Sequence, residues 1–187
     1  MTTKTAEKTS PDEPQNYEYL QLTQPPVAKA AMLIRRPVTE VFDAFIDPEI
    51  TTKFWFTKSS GRLEVGKPVK WEWEMYNVST SVMAKVIEPN NRLLIEWDGY
   101  SGRTLVEWTF TSHTQDTTFL TIAESGWTGN GDQLLGYVAD STQGFAFTLA
   151  GLKAFLEHGI QLQLVADAHP SCAVDKLTNL VEAGIPV

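Results

Sequence analysis

The sequence has little cysteine, histidine or positive charge. One cysteine, Cys172, excludes an intramolecular disulfide bond, and three histidines scattered along 187 residues give no zinc-type ligand spacing, so we expect no metal site. Lys and Arg together number 15 against 23 Asp and Glu, which leaves a net charge of -8. Because no basic surface is available to neutralise phosphates, neither nucleic acid nor an anionic membrane is an expected partner.

Long apolar runs and the glycine-rich motifs of nucleotide-binding proteins are also absent. No run of about 18 apolar residues predicts a membrane-spanning helix, and the first residues, MTTKTAEKTSPDEP, lack the apolar centre of a signal peptide. Gly126, Gly129 and Gly131 have the wrong spacing for a dinucleotide-binding loop, and no Walker motif is present. These absences predict a cytoplasmic protein that needs no nucleotide or other cofactor.

Composition divides the chain into three parts. Residues 1–27 are rich in Thr, Glu, Lys, Gln and Pro, so they bury too little apolar surface to offset the entropy of ordering, and we expect a flexible arm. Residues 28–160 carry the periodic apolar patterns of a single domain of ordinary size. Residues 161–187 form a C-terminal extension.

The domain begins with a strand and two short helices. Ala28–Arg36 has the length and apolar centre of a strand, and Pro37 ends it. Val38–Ile46 has apolar residues three and four positions apart, which predicts an amphipathic helix. Asp47 is a suitable N-cap for a second short helix over residues 48–54.

From Gly61 to Glu124 the apolar pattern alternates, which predicts strands joined by short turns and therefore an antiparallel meander. In the clearest segment, Val69, Trp71, Trp73 and Met75 alternate with charged residues, so we expect one buried and one solvated face. The predicted strands are Arg62–Val65, Val69–Tyr76, Ser81–Ile87, Leu93–Trp97, Thr104–Thr111 and Thr118–Glu124.

Helical spacing returns over Gly131–His158, and Gly159 is a suitable C-terminal stop. The whole order predicts an α+β helix-grip fold: a seven-stranded curved antiparallel sheet wrapped on a long C-terminal helix, with two short helices between strands 1 and 2. Beyond Gly159, the apolar residues from Ile160 to Val165 either continue the helix, fold back over the sheet or form a homodimer contact. Val174–Ala183 is a further, weaker helix candidate.

Several short motifs resemble those of a known superfamily. They are RPVTEVFDAF at 36–45, Asp47-Pro48, Phe54-Trp55-Phe56, EPNNRL at 88–93 and Glu124-Ser125-Gly126-Trp127. With the order of elements, they resemble the START-like (SRPBCC) helix-grip superfamily over about residues 28–160, in particular its heat-shock-protein-90 ATPase-activator-like branch. The resemblance implies an apolar cavity between sheet and helix. Members of the superfamily bind lipids or hormones, cyclise polyketides or act as co-chaperones.

Inward-facing residues of this fold are candidates for contact with a ligand. For each of them, simple filling of the core is the alternative role. Trp55 would either close the mouth of a pocket or clamp a helix onto the sheet. The predicted ligand-binding residues are Trp55, Trp71, Trp73, Met75, Val86, Ile95, Trp97, Val106, Trp108, Phe110, Leu120, Ile122, Glu124, Tyr137, Phe145, Thr148, Leu149 and Leu152.

Glu124 is the candidate for chemistry. In the superfamily, the position before Ser-Gly commonly holds a cavity-facing histidine or another polar residue, and here that position is Glu124. An inward Glu124 would be a general acid or base, whereas an outward one would be a solvated strand end.

Three functions follow from these observations. The first is binding of a small apolar or aromatic molecule between sheet and helix, with Glu124, Tyr137 and Thr148 as polar groups that orient it. The second is a cyclase- or hydrolase-type enzyme that uses a buried Glu124, which requires a second polar group within hydrogen-bond reach. The third is a co-chaperone or other protein-interaction domain, which requires an exposed apolar patch or a focused negative charge.

Overall fold

Seven antiparallel strands form one sheet, and a long C-terminal helix packs against it, so the predicted α+β helix-grip architecture is confirmed. The computed structural model describes residues 22–99 and 101–170. Along the sheet the strand order is β1-β7-β6-β5-β4-β3-β2. The elements are β1 Ala28–Ile34, α1 Val38–Ile46, α2 Pro48–Thr51, β2 Lys58–Ser59, β3 Pro68–Trp73, a 3-10 turn Glu74–Tyr76, β4 Val78–Glu88, β5 Arg92–Gly99, β6 Gly102–Thr114, β7 Thr117–Ser125, α3 Gly131–His158 and α4 Leu164–Asp167.

The two short helices lie where the sequence predicts them. The Asp47 side chain accepts a hydrogen bond from the Glu49 N–H at 2.9 Å, so Asp47 caps α2 as expected. Helix α2 ends at Thr51 rather than Phe54. The earlier end lets the chain turn so that the three aromatic residues at 54–56 enter the core.

The predicted strand Arg62–Val65 is wrong, because the second strand of the sheet is β2, which pairs with β3. Two residues are too few to show an alternating pattern, so this strand is invisible in the sequence. Polar and apolar residues alternate over 62–65, but these residues do not form a strand. Arg62 instead forms an ion pair with Asp47, with 2.9 Å between the guanidinium nitrogen and the carboxyl oxygen. Glu64 and Val65 form only isolated bridges.

Two predicted inward positions, Met75 and Val86, are also wrong. Strand β3 ends at Trp73, and Met75 lies in the 3-10 turn with 38% of its surface exposed. In β4 a bulge between Ala84 and Val86 shifts the register, so Val86 pairs with the outward Leu94. Ile87 takes the inward place that alternation assigns to Val86.

Helix α3 has the predicted bounds. Asn130 and Gln133 form a reciprocal capping box at its start, and Gly159 ends it with φ of 68°, a backbone conformation that favours glycine. All buried residues of α3 fall between Phe145 and Leu152. The first half of the helix therefore covers the sheet less tightly than the second half.

Beyond α3 the chain folds back onto the domain. Gln163 adopts a left-handed conformation, α4 follows, and the Tyr76 hydroxyl donates a hydrogen bond to the Val165 carbonyl. We call residues 160–170 the C-terminal strap. Most of the predicted N-terminal arm, Cys172 and the helix candidate Val174–Ala183 lie outside the described residues. In the part that is described, no helix is both long and apolar enough to cross a membrane.

Candidate functional site

An aromatic cluster fills the space between the sheet and the helices. Trp55 lies at its centre, because its ring centroid is 5.1–6.3 Å from the rings of six neighbours. At these separations aromatic rings are in contact. We define the aromatic cluster as Trp55 and these six neighbours, which are Phe45, Phe56, Trp71, Trp73, Trp97 and Trp108.

A polar island lies beside these rings, centred on Glu124. The side chain of Glu124 points inward from β7, and only 2% of the residue's surface is exposed. Its Oε1 accepts hydrogen bonds from Thr104 Oγ1 at 2.6 Å and from Trp97 Nε1 at 2.8 Å. Its Oε2 accepts one from Ser141 Oγ at 2.7 Å. We call these four residues the Glu124 cluster.

The local fold explains how the cluster assembles. Glu124 pairs with Val106 on β6 and Ala28 on β1, which are both buried, so it takes an inward position near the end of β7. Trp97 and Thr104 are directly opposite each other on β5 and β6, and the indole Nε1 also lies 2.7 Å from Thr104 Oγ1. Ser141 reaches the island from the first half of α3. Trp97 belongs to both clusters and connects them.

Most of the other predicted site residues are buried core residues. Ile95, Val106, Leu120 and Ile122 lie on the inward face of the sheet, with Phe110 at its far end. Phe145, Leu149 and Leu152 form the buried stripe of α3, and the Phe145 ring stacks on Trp97 at 6.4 Å. Trp73, Trp97 and Tyr137 are half-buried.

Two of the predicted ligand-binding residues on α3, Thr148 and Tyr137, carry hydroxyl groups. Thr148 is buried, but its hydroxyl donates to the Gly144 carbonyl of the same helix at 2.9 Å. Tyr137 is half-buried and lies one helical turn before Ser141.

Thr104 and Ser141 are functional candidates that are not among the residues predicted from the sequence. The sequence carries a signal for each residue: Thr104 has inward parity in β6, and Ser141 interrupts the apolar stripe of α3. Their common partner was not apparent, because 20 and 17 residues of chain separate them from Glu124.

The expected hollow between sheet and helix is occupied by the aromatic cluster. A groove beside it, between the 52–57 segment and the C-terminal strap, has room for about 30 Å³. That volume suits a water molecule, whereas pockets for drug-sized ligands measure about 300 Å³ or more. One buried polar atom, Trp108 Nε1, has no hydrogen-bond partner among the described atoms.

Metal-ligating groups do not converge in this region. Within residues 22–99 and 101–170, no three His, Cys, Asp or Glu residues lie close enough to hold an ion. The Glu124 cluster offers one carboxylate and two hydroxyl groups, which is a set suited to hydrogen bonding and proton transfer.

The fold and this inward polar site define the class of START-like helix-grip domains. Residues 35–157 match the family described as "Activator of Hsp90 ATPase homolog 1-like protein", and the chain belongs to that family. No curated protein matches the sequence.

Known structures share the fold. Protein SSP2350 from Staphylococcus saprophyticus is 29% identical, with a TM-score of 0.61 over 73% of this chain and 95% of its own. DynU16, from the dynemicin biosynthetic locus, is 23% identical with a TM-score of 0.63, over 72% of this chain but 48% of its own. The Aha1 dimer from Colwellia psychrerythraea is 19% identical with a TM-score of 0.61, over 71% of this chain and 97% of its own.

Proposed function

We propose that this protein binds a small apolar or aromatic molecule between the sheet and α3, and that the Glu124 cluster orients it. The supporting observation is the burial of a glutamate whose partners in the described chain are all neutral. Taking a carboxyl group out of water costs stability, and an apolar residue at this position would avoid that cost. A group kept in the core at such a cost is a candidate for function.

The aromatic cluster would supply affinity for the apolar body of the ligand. Clefts that bind small molecules are lined mainly by apolar and aromatic side chains, with a few polar groups that fix orientation. Trp97 combines both properties, because its ring contacts Trp55 and its Nε1 bonds to Glu124. A ligand acceptor would also give Trp108 Nε1 the hydrogen-bond partner that it lacks in the described part of the chain.

The entrance that we favour lies under the first half of α3. No residue between Gly131 and Gly144 is buried, and Ser141 and Tyr137 on this half are partly exposed. On the sheet side, Trp73 and Trp97 are half-buried. A ligand would displace rings of the aromatic cluster as it entered. The tight packing of these rings would then belong to the ligand-free state.

A library of aromatic and acyl compounds tests this function by thermal shift, followed by calorimetry of each compound that stabilises the protein. We expect at least one compound to raise Tm in proportion to its affinity. Binding should weaken about tenfold or more in Ser141→Ala or Glu124→Gln, because a buried polar contact is lost or altered. Glu107→Gln is the matched control, since Glu107 lies on the opposite sheet face and pairs with Arg92. Binding that is unchanged by both cluster variants would contradict the proposed site.

Catalysis is a second candidate, favoured by the contact between Ser141 and Glu124. A hydroxyl group 2.7 Å from a buried carboxyl oxygen has the geometry of a nucleophile and its general base, or of a proton relay. Hydrolysis of small aromatic esters tests it. We expect Ser141→Ala and Glu124→Gln to lose about 100-fold in rate or more if the pair is catalytic. Equal rates for wild type and both variants would exclude this role.

A co-chaperone or other protein-interaction role is the remaining alternative. Its expected sign is a continuous exposed apolar patch. On the outer face of the sheet, Leu105 and Phe119 are exposed, but they pair with Ser125 and Thr111 and so lie at opposite ends of the β6–β7 ladder. If no compound binds, pull-downs that search for a protein partner become the next experiment. The homodimer and the cytoplasmic location also stay predictions.

A further inference from the structure

Glu124 has no positively charged partner among the described residues. No Lys, Arg or His in residues 22–99 and 101–170 is buried, and none of their ion pairs includes Glu124. Glu157 gives an internal comparison. Only 6% of its side chain is exposed, and it pairs with both Arg35 and Lys153. Within the described part of the chain, cations therefore compensate one poorly exposed glutamate, and the other has neutral partners.

One acceptor position of Glu124 is also open in the described chain. An ionised carboxyl group has about four acceptor sites on its two oxygens. Oε1 uses two of them, for Trp97 and Thr104, and Oε2 uses one, for Ser141. The open position is on Oε2, the oxygen that faces the loosely packed first half of α3.

Indole rings next to the Glu124 cluster are a second kind of group that binds cations. The faces of indole rings carry partial negative charge and bind ammonium groups, most strongly where water is excluded. Trp97 donates to Glu124 and its ring lies 6.1–6.5 Å from the rings of Trp55, Trp71 and Trp73. A carboxyl group with no cationic partner among the described residues thus contacts one indole ring, Trp97, which three further indole rings surround.

From these observations we infer that the ligand is a cationic amine on an aromatic or apolar body. Its ammonium group donates to Glu124 Oε2 and supplies a positive charge that the described residues do not, and its body packs against the indole rings. This ligand class rests on the proposed function, because it assumes that a molecule enters beside the aromatic cluster. A neutral hydroxyl group fills the same acceptor position without supplying charge, so the two ligand types are separable by affinity.

Three probes with one shared ring test the ligand class by calorimetry on the full chain at neutral pH. Phenethylamine carries a positive charge, phenethyl alcohol is neutral, and phenylacetate carries a negative charge. We expect the amine to bind at least about tenfold more tightly than the alcohol, because a charge-assisted hydrogen bond is about twice as strong as a neutral one. Phenylacetate should bind least, since its charge repels Glu124.

Glu124→Gln keeps the size of the side chain and removes its charge. In this variant we expect the amine and the alcohol to bind within about twofold of each other. Glu107→Gln makes the same change on the outer face of the sheet and should keep the wild-type preference. The ranking of the three probes on wild-type protein is decisive even if Glu124→Gln does not fold.

The outcomes separate this inference from the proposed function. If the alcohol binds wild type as tightly as the amine, or the amine preference survives in Glu124→Gln, the ligand class is wrong while the binding function stands. If none of the three probes binds and no library compound stabilises the protein, both are overturned.

Discussion

Glu124 and Glu157 are two glutamates with little exposed surface, and the protein holds them in opposite ways. Glu157 accepts hydrogen bonds from the Arg35 N–H and from Lys153 Nζ, at the junction of β1 and α3. Glu124 has only neutral donors in the described chain. The first arrangement ties two elements together, whereas the second leaves a buried carboxyl group with no cation among the described residues.

Removal of the Glu124 side chain should lower the stability of the protein strongly. Glu124→Ala leaves a cavity and takes the common acceptor from Trp97, Thr104 and Ser141, so we expect the free energy of unfolding to fall by about 3 kcal/mol or more. Glu107→Ala removes a partly exposed ion pair with Arg92 and should cost about 1 kcal/mol or less. Urea denaturation of both variants measures the difference. Equal small losses would show that the Glu124 cluster is not an interior network.

The pKa of Glu157 determines part of the response of the protein's stability to acid. Burial alone would raise the pKa of Glu157, but the hydrogen bonds and positive charges of Lys153 and Arg35 hold that pKa below the ordinary 4.5. A carboxyl group with a lowered folded-state pKa adds stability above its unfolded pKa, and this stability disappears as pH falls through the folded pKa.

We therefore expect Glu157→Gln to be less stable than wild type at neutral pH and to lose less further stability at about pH 3. Urea unfolding at the two pH values measures this. If the wild type and the variant lost the same stability between the two pH values, the lowered pKa of Glu157 would be contradicted.

At the scale of elements, the contact between α3 and the 52–57 segment depends on Gly151. A Cβ at this position would lie 3.0 Å from the Phe54 carbonyl oxygen and 3.3 Å from Phe54 Cβ. We expect Gly151→Ala to destabilise the protein by about 1–3 kcal/mol despite the better helix propensity of alanine. The new methyl group of Gly136→Ala, in the same helix, meets no atom of the described residues within 4 Å, so this change should stabilise the protein by about 0.5–1 kcal/mol. Thermal unfolding compares the pair, and two changes of the same sign would be unexpected.

A hydrogen bond from Tyr76 in the 3-10 turn to the Val165 carbonyl helps to hold the C-terminal strap, and Val165 packs against the core. Burial, with the negative charge of Asp167, raises the pKa of Tyr76 above 10.0, although a backbone hydrogen bond with His169 opposes this rise. A raised tyrosine pKa means that the stabilising contribution is complete below the unfolded pKa and disappears as pH rises through the folded pKa.

Tyr76→Phe should loosen the strap without unfolding the domain. We expect faster hydrogen exchange at 160–170 and little change in the sheet, because the hydroxyl group bonds to the strap and, among the described residues, to no strand. Wild type should show the same local opening as pH rises past the tyrosine pKa. Exchange that is equally slow in the variant would show that apolar packing alone holds the strap.

At the scale of the whole molecule, regular patterns made the fold predictable. Helices α1 and α3 have their predicted bounds, because apolar spacing and end signals such as Gly159 agree. The misplaced second strand and the wrong positions of Met75 and Val86 have a common cause. A two-residue strand, a 3-10 turn and a bulge each interrupt the alternation on which strand prediction depends.

The candidate site was predictable only in part. The inward parity of Glu124 and the aromatic residues of the sheet are properties of single strands, and the sequence shows them. Its contact with Ser141 depends on how α3 lies across the sheet, which no local pattern records. The packing of Trp55 against six rings is likewise a tertiary property, so the sequence did not reveal that the expected hollow is filled.

Native mass spectrometry of the protein purified from its own host tests the binding function most directly, with extraction and identification of any retained compound. We expect a stoichiometric adduct of low mass whose extracted compound has an aromatic or apolar body, and its loss from Glu124→Gln but not from Glu107→Gln. A clean mass for wild type, together with no thermal shift from any library compound, would contradict a ligand site at the Glu124 cluster.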